Sequence, residues 1–454
     1  MSFLKNNKKL LWLTPLIVLA MAALAWFGFF SNKTAHRPSD PVLAILLDWH
    51  EYAMKAEREC EGFRMPIVAR IYAYSGIAAW EAARPCLGEN TAEGLSTHFA
   101  GLKLPPAPPA ASLHLPTVLN ACYSTVFQKF FLVAPRTLEE ERLRLESHWL
   151  EESGHVADTA TIRASKEFGD KIALAVYDWS ATDTAGHMAY LHVYDDRYQP
   201  PQTSASWQAS DDFPMPPLLP HWGGTRCFAI NPNDFIATPP PPFSVEPQSP
   251  YYAQALEIYT MNAPLSTENQ WMAEFWSDDF AGLTLTSAGR WISITNQVVR
   301  QSQPDPEKAL ATYLKVGITL SDATVACWAS KYKYNVMRPE TFIRRVIQRD
   351  WRPIVHTPSH PSYPSGHALV AAAVAEVLSG FYGEHYEITD RTHQDRTEFK
   401  GKPRHYHSFR EMALESAASR IALGVHFRMD CDEGTRLGFS IGEKISAQGV
   451  KALE

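Results

Sequence analysis

Three short segments in the C-terminal half carry residue types that can hold an oxyanion. In the first, KYKYNVMRP, Lys331 and Arg338 stand seven residues apart and Pro339 follows. Seven helical residues advance about 700°, within about 20° of whole turns, so on a helix both cations share one face about 10.5 Å apart. Pro339 then predicts a helix end near Arg338, because it lacks an amide donor and restricts its predecessor. The second segment is Pro364-Ser365-Gly366-His367, ahead of an apolar run over 368–378. It predicts a helix start: Ser365 supplies a capping hydroxyl, Gly366 lets a ligand approach the backbone, and the free first-turn amides suit an oxyanion. His367 can exchange protons with whatever those amides hold. The third runs from Ser419 and Arg420 through Gly424 and His426 to Asp430. On a helix His426 and Asp430 share a face, and the carboxylate would fix the imidazole tautomer and strengthen the other ring nitrogen as ligand or nucleophile. Arg420 and His426 lie about 120° apart on an ideal helix. Their convergence requires either that Gly424 break the helix or that Arg420 reach around it. Each segment alone also fits a plainer role: a solvated basic face, a hydrogen-bonded surface histidine, a surface ion pair. Together they describe a pocket for a tetrahedral oxyanion.

The elements that position these residues read as helices. The chain has 454 residues, 45% hydrophobic and 20% charged, with 42 Lys+Arg against 49 Asp+Glu, a net charge of −7. This is globular composition and excludes general disorder. The absence of a long basic stripe argues against a dedicated nucleic-acid binder. Length alone allows about three domains of ~150 residues or one large helical body. Apolar spacing predicts helices over Pro66–Ala83, Pro116–Phe131 and Ala157–Ser180, a start at Thr137 before three glutamates, and helical structure from about Thr267 to Tyr334 with few interruptions. The 33 prolines outnumber the 23 glycines and cluster between these stretches, above all in Tyr198–Pro250, which predicts a long loop packed on the core through its aromatic residues. The polar segment Tyr386–His407 reads as a solvated loop, or else as a lid. No internal repeat is present. The expected class is all-α, with an N-terminal helical region at 42–250 and a C-terminal one at 251–454 that carries the site.

At the N-terminus Lys5, Lys8 and Lys9 (within 1–9) precede Leu10–Phe30, 21 residues without a charge. At 1.5 Å per residue this run spans about 31 Å, the thickness of a bilayer core. The one small-x-small cleavage pattern, Ala23-Leu24-Ala25, would leave an apolar new N-terminus, so an uncleaved signal anchor over 10–30 is expected, with a tether at 31–41; a cleaved signal peptide is the alternative. Of the six cysteines none form C-x-x-C, which argues against a zinc or redox motif; Cys60 and Cys86, flanking one expected helix, are a candidate disulfide, with small buried thiols the alternative.

The joint pattern K-x6-R-P, P-S-G-H and S-R-x5-H-x3-D resembles the superfamily that joins vanadium-dependent haloperoxidases with type 2 phosphatidic acid phosphatases and bacterial acid phosphatases. The lipid phosphatases are multi-span membrane proteins, unlike this chain. Similarity to the bacterial iodo- and bromoperoxidase-like group extends through Arg70–Ala83, Leu219–Gly224, Asn269–Trp276, Gly289–Trp291 and Ala326–Pro339. The resemblance implies an all-α fold of two four-helix bundles and a vanadate cofactor. His426 would bond the vanadium; Lys331, Arg338, Ser365, Arg420 and the Gly366 amide would hold the vanadate oxygens; His367 would be the acid/base and Lys331 would polarise the bound peroxide. Asp430 would support His426, while Trp328 and His360 would line the halide pocket. His360 stands where chloroperoxidases of the family carry Phe and bromoperoxidases His, which disfavours chloride; iodide, the easiest halide to oxidise, is expected first, then bromide. The implied partners are hydrogen peroxide, halide and a small organic acceptor, with no nucleic acid, a membrane contact through the N-terminal helix, and a homo-oligomer. The implied location is the bacterial inner membrane with the body in the periplasm, or secretion after cleavage. The alternative is an acid phosphatase, in which His426 attacks phosphorus to give a phosphohistidine and His367 protonates the leaving alcohol.

Overall fold

Prolines and short polar side chains start nearly every helix, and the helices make up most of the molecule. The computed structural model describes residues 38–88, 94–210, 212, 214–280, 282–397 and 401–448. Asp40 accepts from the amides of Val42 and Leu43 at the head of α1 (Pro41–Glu59). Helices α2 (Met65–Ala83) and α3 (Leu115–Phe130) each carry Pro in the first turn. After α4 (Arg136–Gly154), Asp158 caps α5 (Thr159–Ala181). Ser249 caps α6 (Pro250–Met261), Ser266 caps α7 (Thr267–Phe275), Thr286 caps α8 (Ser287–Ser302) and Asp305 caps α9 (Pro306–Tyr334). Then come α10 (Pro339–Val346), α11 (Gly366–Tyr382), α12 (Phe409–Ala422) and α13 (Arg428–Ala447). Each such cap satisfies an amide that the helix itself leaves open.

The long α9 organises the packing. Its 29 residues are buried around nearly the whole circumference from Ala309 to Trp328, the pattern of a helix enclosed by others. On one side it packs against α2, which in turn contacts α3 and α5; on the other it packs against α11, which contacts α12 and α13. A Cβ at Gly317 would lie 2.4 Å from the Tyr72 carbonyl oxygen, so only glycine allows α9 and α2 to approach this closely.

Several sequence expectations change in detail. The helix expected from Thr137 starts at Arg136, after Pro135. The stretch from Thr267 to Tyr334 is three helices, broken at 276–286 and 303–305. In the first break Asp278, Thr284 and Thr286 are buried polar residues, and such side chains compete for backbone hydrogen bonds. The segment 386–407 holds a two-stranded antiparallel hairpin, β1 (Ile388–Asp390) and β2 (Arg404–Tyr406), a small departure from an all-α body. All six cysteines are free. Cys60 and Cys86 bracket the intact 19-residue α2, about 28 Å long, whereas a disulfide needs Cα atoms within about 7 Å.

The described residues of the proline-rich stretch up to Ser249 form a loop with two short 3-10 turns, as its composition predicts, and it is anchored: Trp207 and Trp222 are 1% exposed. Asp322 on α9 accepts from the amides of Phe228, Ala229 and Ile230 at 2.8–3.1 Å. The expected span at 10–30 lies outside the described residues. Among the described residues no helix is long and apolar enough to cross a membrane.

Candidate active site

The three sequence segments meet where α9 ends, α11 begins and α12 gives way to α13. Lys331 lies in the last turn of α9, which stops at Tyr334 because Asn335 takes a left-handed conformation (φ 49°). Its buried Nζ donates to the carbonyls of Pro361 (2.9 Å), Ser362 (2.8 Å) and Pro364 (2.6 Å). Burial lowers its pKa to about 7, yet three acceptors use all three N–H bonds that only an ammonium possesses.

Arg338 does not share a helix with Lys331, and Pro339 opens a helix rather than closing one: Arg338 is the residue before α10, with Pro339 in its first turn. The left-handed turn at Asn335, not a seven-residue helical repeat, brings the two cations together. Arg338 donates from Nε to the His360 carbonyl (2.9 Å) and from Nη1 to the Val425 carbonyl (2.8 Å). Nη1 also lies 3.2 Å from His426 Nε2, and Nη2 lies 3.0 Å from His360 Nδ1. Burial lowers its pKa to about 10, which leaves it charged at neutral pH.

His426 and Asp430 are paired, but not along one helix. His426 precedes α13, and Asp430, in its first turn, reaches back. Asp430 Oδ2 accepts from His426 Nδ1 and the Phe427 amide, each at 3.0 Å, and from the Ser362 hydroxyl. The committed Nδ1–H fixes the tautomer and aims the Nε2 lone pair at the cations. Burial, then Arg338, Lys331 and Arg420, holds the His426 pKa well below the usual imidazole range. Burial raises that of Asp430 to about 6.

Of the two routes open to Arg420, the structure takes the glycine break: α12 ends at Ala422 and Gly424 has φ +82°. Arg420 Nη1 donates to the Trp276 carbonyl at 3.0 Å, while its buried Nε has no hydrogen-bond partner. Ser365 caps α11 with its hydroxyl, and its own amide donates to the Asp430 carbonyl at 2.8 Å. The next two amides, Gly366 and His367, precede the first intrahelical bond, which runs from Leu369. A Cβ at Gly366 would sit 3.2 Å from Met65 Cε and 3.6 Å from the Trp328 ring.

The imidazole of His367 is 11% exposed, its buried Nε2 has no hydrogen-bond partner, and Asp279 Oδ2 stands 3.3 Å away without the alignment of a bond. Burial and the charges of Arg420, Lys331 and Arg338 hold the His367 pKa well below its usual value. Asp279, at φ 69°, has its pKa raised to about 7 by burial and by Asp278. Trp328 and His360 pack together with ring centroids 5.1 Å apart, and Trp328 Nε1 donates to the Leu218 carbonyl of the proline-rich loop at 3.3 Å.

Three buried cations thus surround two neutral imidazoles, and Arg420 Nε and His367 Nε2 are buried polar atoms without partners. Against the buried Asp430 carboxyl these three cations leave an excess of positive charge, which calls for a further counter-charge. A tetrahedral oxyanion such as vanadate or phosphate fits this donor set: cations, a capping hydroxyl, helix-start amides and an imidazole lone pair. Sequence reasoning missed Asp279, Ser362 and the carbonyls that hold Lys331. The acidic pair Asp278-Asp279 between two helical stretches was the one available signal for the first; nothing marked the others.

Residues 311–453 match the family described as the VCPO second helical-bundle domain. A vanadium-dependent bromoperoxidase of Corallina officinalis is 34% identical over 89 residues, 18% of this chain and 15% of that protein's length. Among solved structures, a bacterial vanadium-dependent iodoperoxidase superposes with a TM-score of 0.79 at 24% identity, covering 89% of this chain and 96% of its own. A holo-type bacterial vanadium-dependent chloroperoxidase superposes with a TM-score of 0.65 at 17% identity, covering 86% and 93%. Part of the C-terminal half is thus similar in sequence to vanadium-dependent haloperoxidases, and most of the chain shares the fold of solved structures of that kind.

Proposed function

We propose that this chain is a vanadate-dependent haloperoxidase that uses hydrogen peroxide to oxidise iodide or bromide to hypohalous acid. The observation that carries the reading is His426, whose Nδ1 is committed to Asp430 while Nε2 faces Arg338 at 3.2 Å among three buried cations. That is the state of an imidazole prepared to ligate the centre of an oxyanion. Bound vanadate supplies a Lewis acid that activates peroxide without change of oxidation state. Lys331, Arg338 and Arg420 offset the charge of the oxyanion, and the Ser365 hydroxyl and Gly366 amide orient its oxygens. His367, neutral through burial, is in the form that accepts a proton from hydrogen peroxide, and the Asp279 carboxyl beside it stabilises the imidazolium that results. His360, whose Nδ1 lies 3.0 Å from Arg338 Nη2 and 3.2 Å from the Pro361 carbonyl, stands beside Trp328 to line the halide site. On this reading α9 is shared by two four-helix bundles, and the 10–30 anchor holds the body at the periplasmic face of the inner membrane; the anchor and the location rest on sequence alone.

The test is peroxide-dependent oxidation of iodide and bromide by phosphate-free protein incubated with orthovanadate. Turnover that requires vanadate, and that His426→Ala reduces by at least a thousandfold together with vanadate binding, is the expected result. Hydrolysis of an aryl phosphate that vanadate inhibits, with no halide oxidation, would replace this reading with the phosphatase one and make His426 the nucleophile.

A further inference from the structure

The outward face of the β1/β2 hairpin carries a cluster of two histidines and a carboxylate that the anion site does not use. The hairpin register pairs Ile388 with Tyr406, Thr389 with His405 and Asp390 with Arg404. Side chains alternate across a strand, so the buried Ile388, Asp390 and Tyr406 turn inward while Thr389 and His405 turn outward. Continued by one step, the same register sets Glu387 opposite His407 on the outward face. One ligand atom from each of Glu387, His405 and His407 lies within 4.8 Å of the other two. Glu387 Oε1 is 3.4 Å from His407 Nδ1, and the two imidazoles meet edge to face at 5.2 Å. The Thr389 hydroxyl lies 3.1 Å from His405 Nδ1, an outer partner that orients the ring and leaves Nε2 for a ligand. The backbone beneath is held as well: the His407 amide donates to Glu411 at 2.7 Å, and the Glu387 carbonyl accepts from Gln301 at 2.9 Å.

We propose that Glu387, His405 and His407 form a surface site for a divalent transition metal, with Zn2+ as its occupant and water in the fourth position. Two imidazoles and one carboxylate suit Zn2+, whereas Mg2+ and Ca2+ require shells of oxygen. Bonds of about 2.1 Å place tetrahedral ligand atoms about 3.4 Å apart, a separation that these exposed side chains reach from 4.8 Å by rotation alone. The ion ties β1 to β2. Inside the hairpin, Asp390 pairs with the buried Arg290 at 2.8 Å. Arg290 lies over the Phe275 and Trp276 rings, and the Trp276 carbonyl holds Arg420, so the metal braces the wall behind the anion site.

The experiment is calorimetric titration of the untagged, metal-stripped full chain with ZnCl2, alongside His405→Ala, His407→Ala and Glu387→Gln. All three side chains are exposed, and equal Tm values in chelator confirm that the variants fold. The expected result is one Zn2+ equivalent that either histidine variant abolishes and Glu387→Gln weakens at least tenfold, with a Zn2+-dependent rise in Tm that is lost in both histidine variants and reduced in Glu387→Gln. The same stoichiometry and the same Tm rise in all four proteins would place the bound zinc elsewhere, at buried thiols or the anion site, and overturn the proposal.

Discussion

The neutrality of His426 follows first from its burial and then from its neighbours: with three cations close by, a proton on Nε2 is further repelled and the lone pair stays available. Asp430 acts in the opposite sense on the other nitrogen. It accepts three hydrogen bonds at Oδ2, and its Oδ1 is buried without a partner. Asp430→Asn retains one acceptor oxygen but removes the charge that raises the basicity of the ligating nitrogen. Groups placed behind a ligand in this way contribute about 10- to 100-fold in affinity. Vanadate binding measured by titration is therefore expected to weaken by that factor, with the helix content of the protein unchanged; equal affinity in wild type and variant would refute the role given to Asp430. Much of this residue scale was legible in the sequence. The types, order and spacing of Lys331, Arg338, Ser365, His367, Arg420 and His426 predicted that these residues share one pocket. The paths that bring them together were partly misread, because a seven-residue spacing fits a helix as well as it fits a helix end followed by a turn.

At the scale of elements, α1 and α8 are joined by a buried carboxyl. Glu57 accepts from the amide and hydroxyl of Thr286 at the cap of α8, and from the Tyr72 hydroxyl of α2. Burial raises its pKa from 4.5 to about 8. The folded protein thus keeps a proton that the unfolded chain releases. The stability Glu57 contributes is full below pH 4.5 and is lost as pH rises through about 8. Across that window the loss approaches about 1.4 kcal/mol per pH unit. Glu57→Gln mimics the protonated form, so urea unfolding at successive pH values is expected to show a shallower decline for the variant; parallel curves would contradict it. Helix starts were the most legible feature at this scale, since a capping residue and a first-turn proline act within a few residues of chain. The interruption at 276–286 was not, because its polar residues are satisfied by distant partners such as Glu57 and by Arg420 against the Trp276 carbonyl.

For the whole molecule, the loop 198–250 does the work of a missing layer. It contributes the Leu218 carbonyl that accepts from Trp328 and Tyr332, it pairs with the chain just before Arg338 through the Ser206–Val336 bridge, and it buries two tryptophans. Arg226 within it lies over the Trp179 ring and donates to the Tyr74 hydroxyl and to Thr182. Segments anchored in this way lack the local opening that proteases require. Limited trypsin digestion of the native protein is accordingly expected to leave the bond after Arg226 intact, and early cleavage there, read by mass spectrometry, would show the loop to be loosely held.

The sequence by itself determined the helical class, several helix starts and the residue types of the site, because periodicity, capping and side-chain type are local properties. Tertiary structure alone decided that Arg338 faces His426 and His360, that three carbonyls from 361–364 hold Lys331, and that Asp279 stands beside His367. Each of these contacts closes a long loop of chain, and the packing of α9 against both α2 and α11 sets which loop ends meet. A carboxylate's partner across such a loop leaves no periodic trace in the residues between.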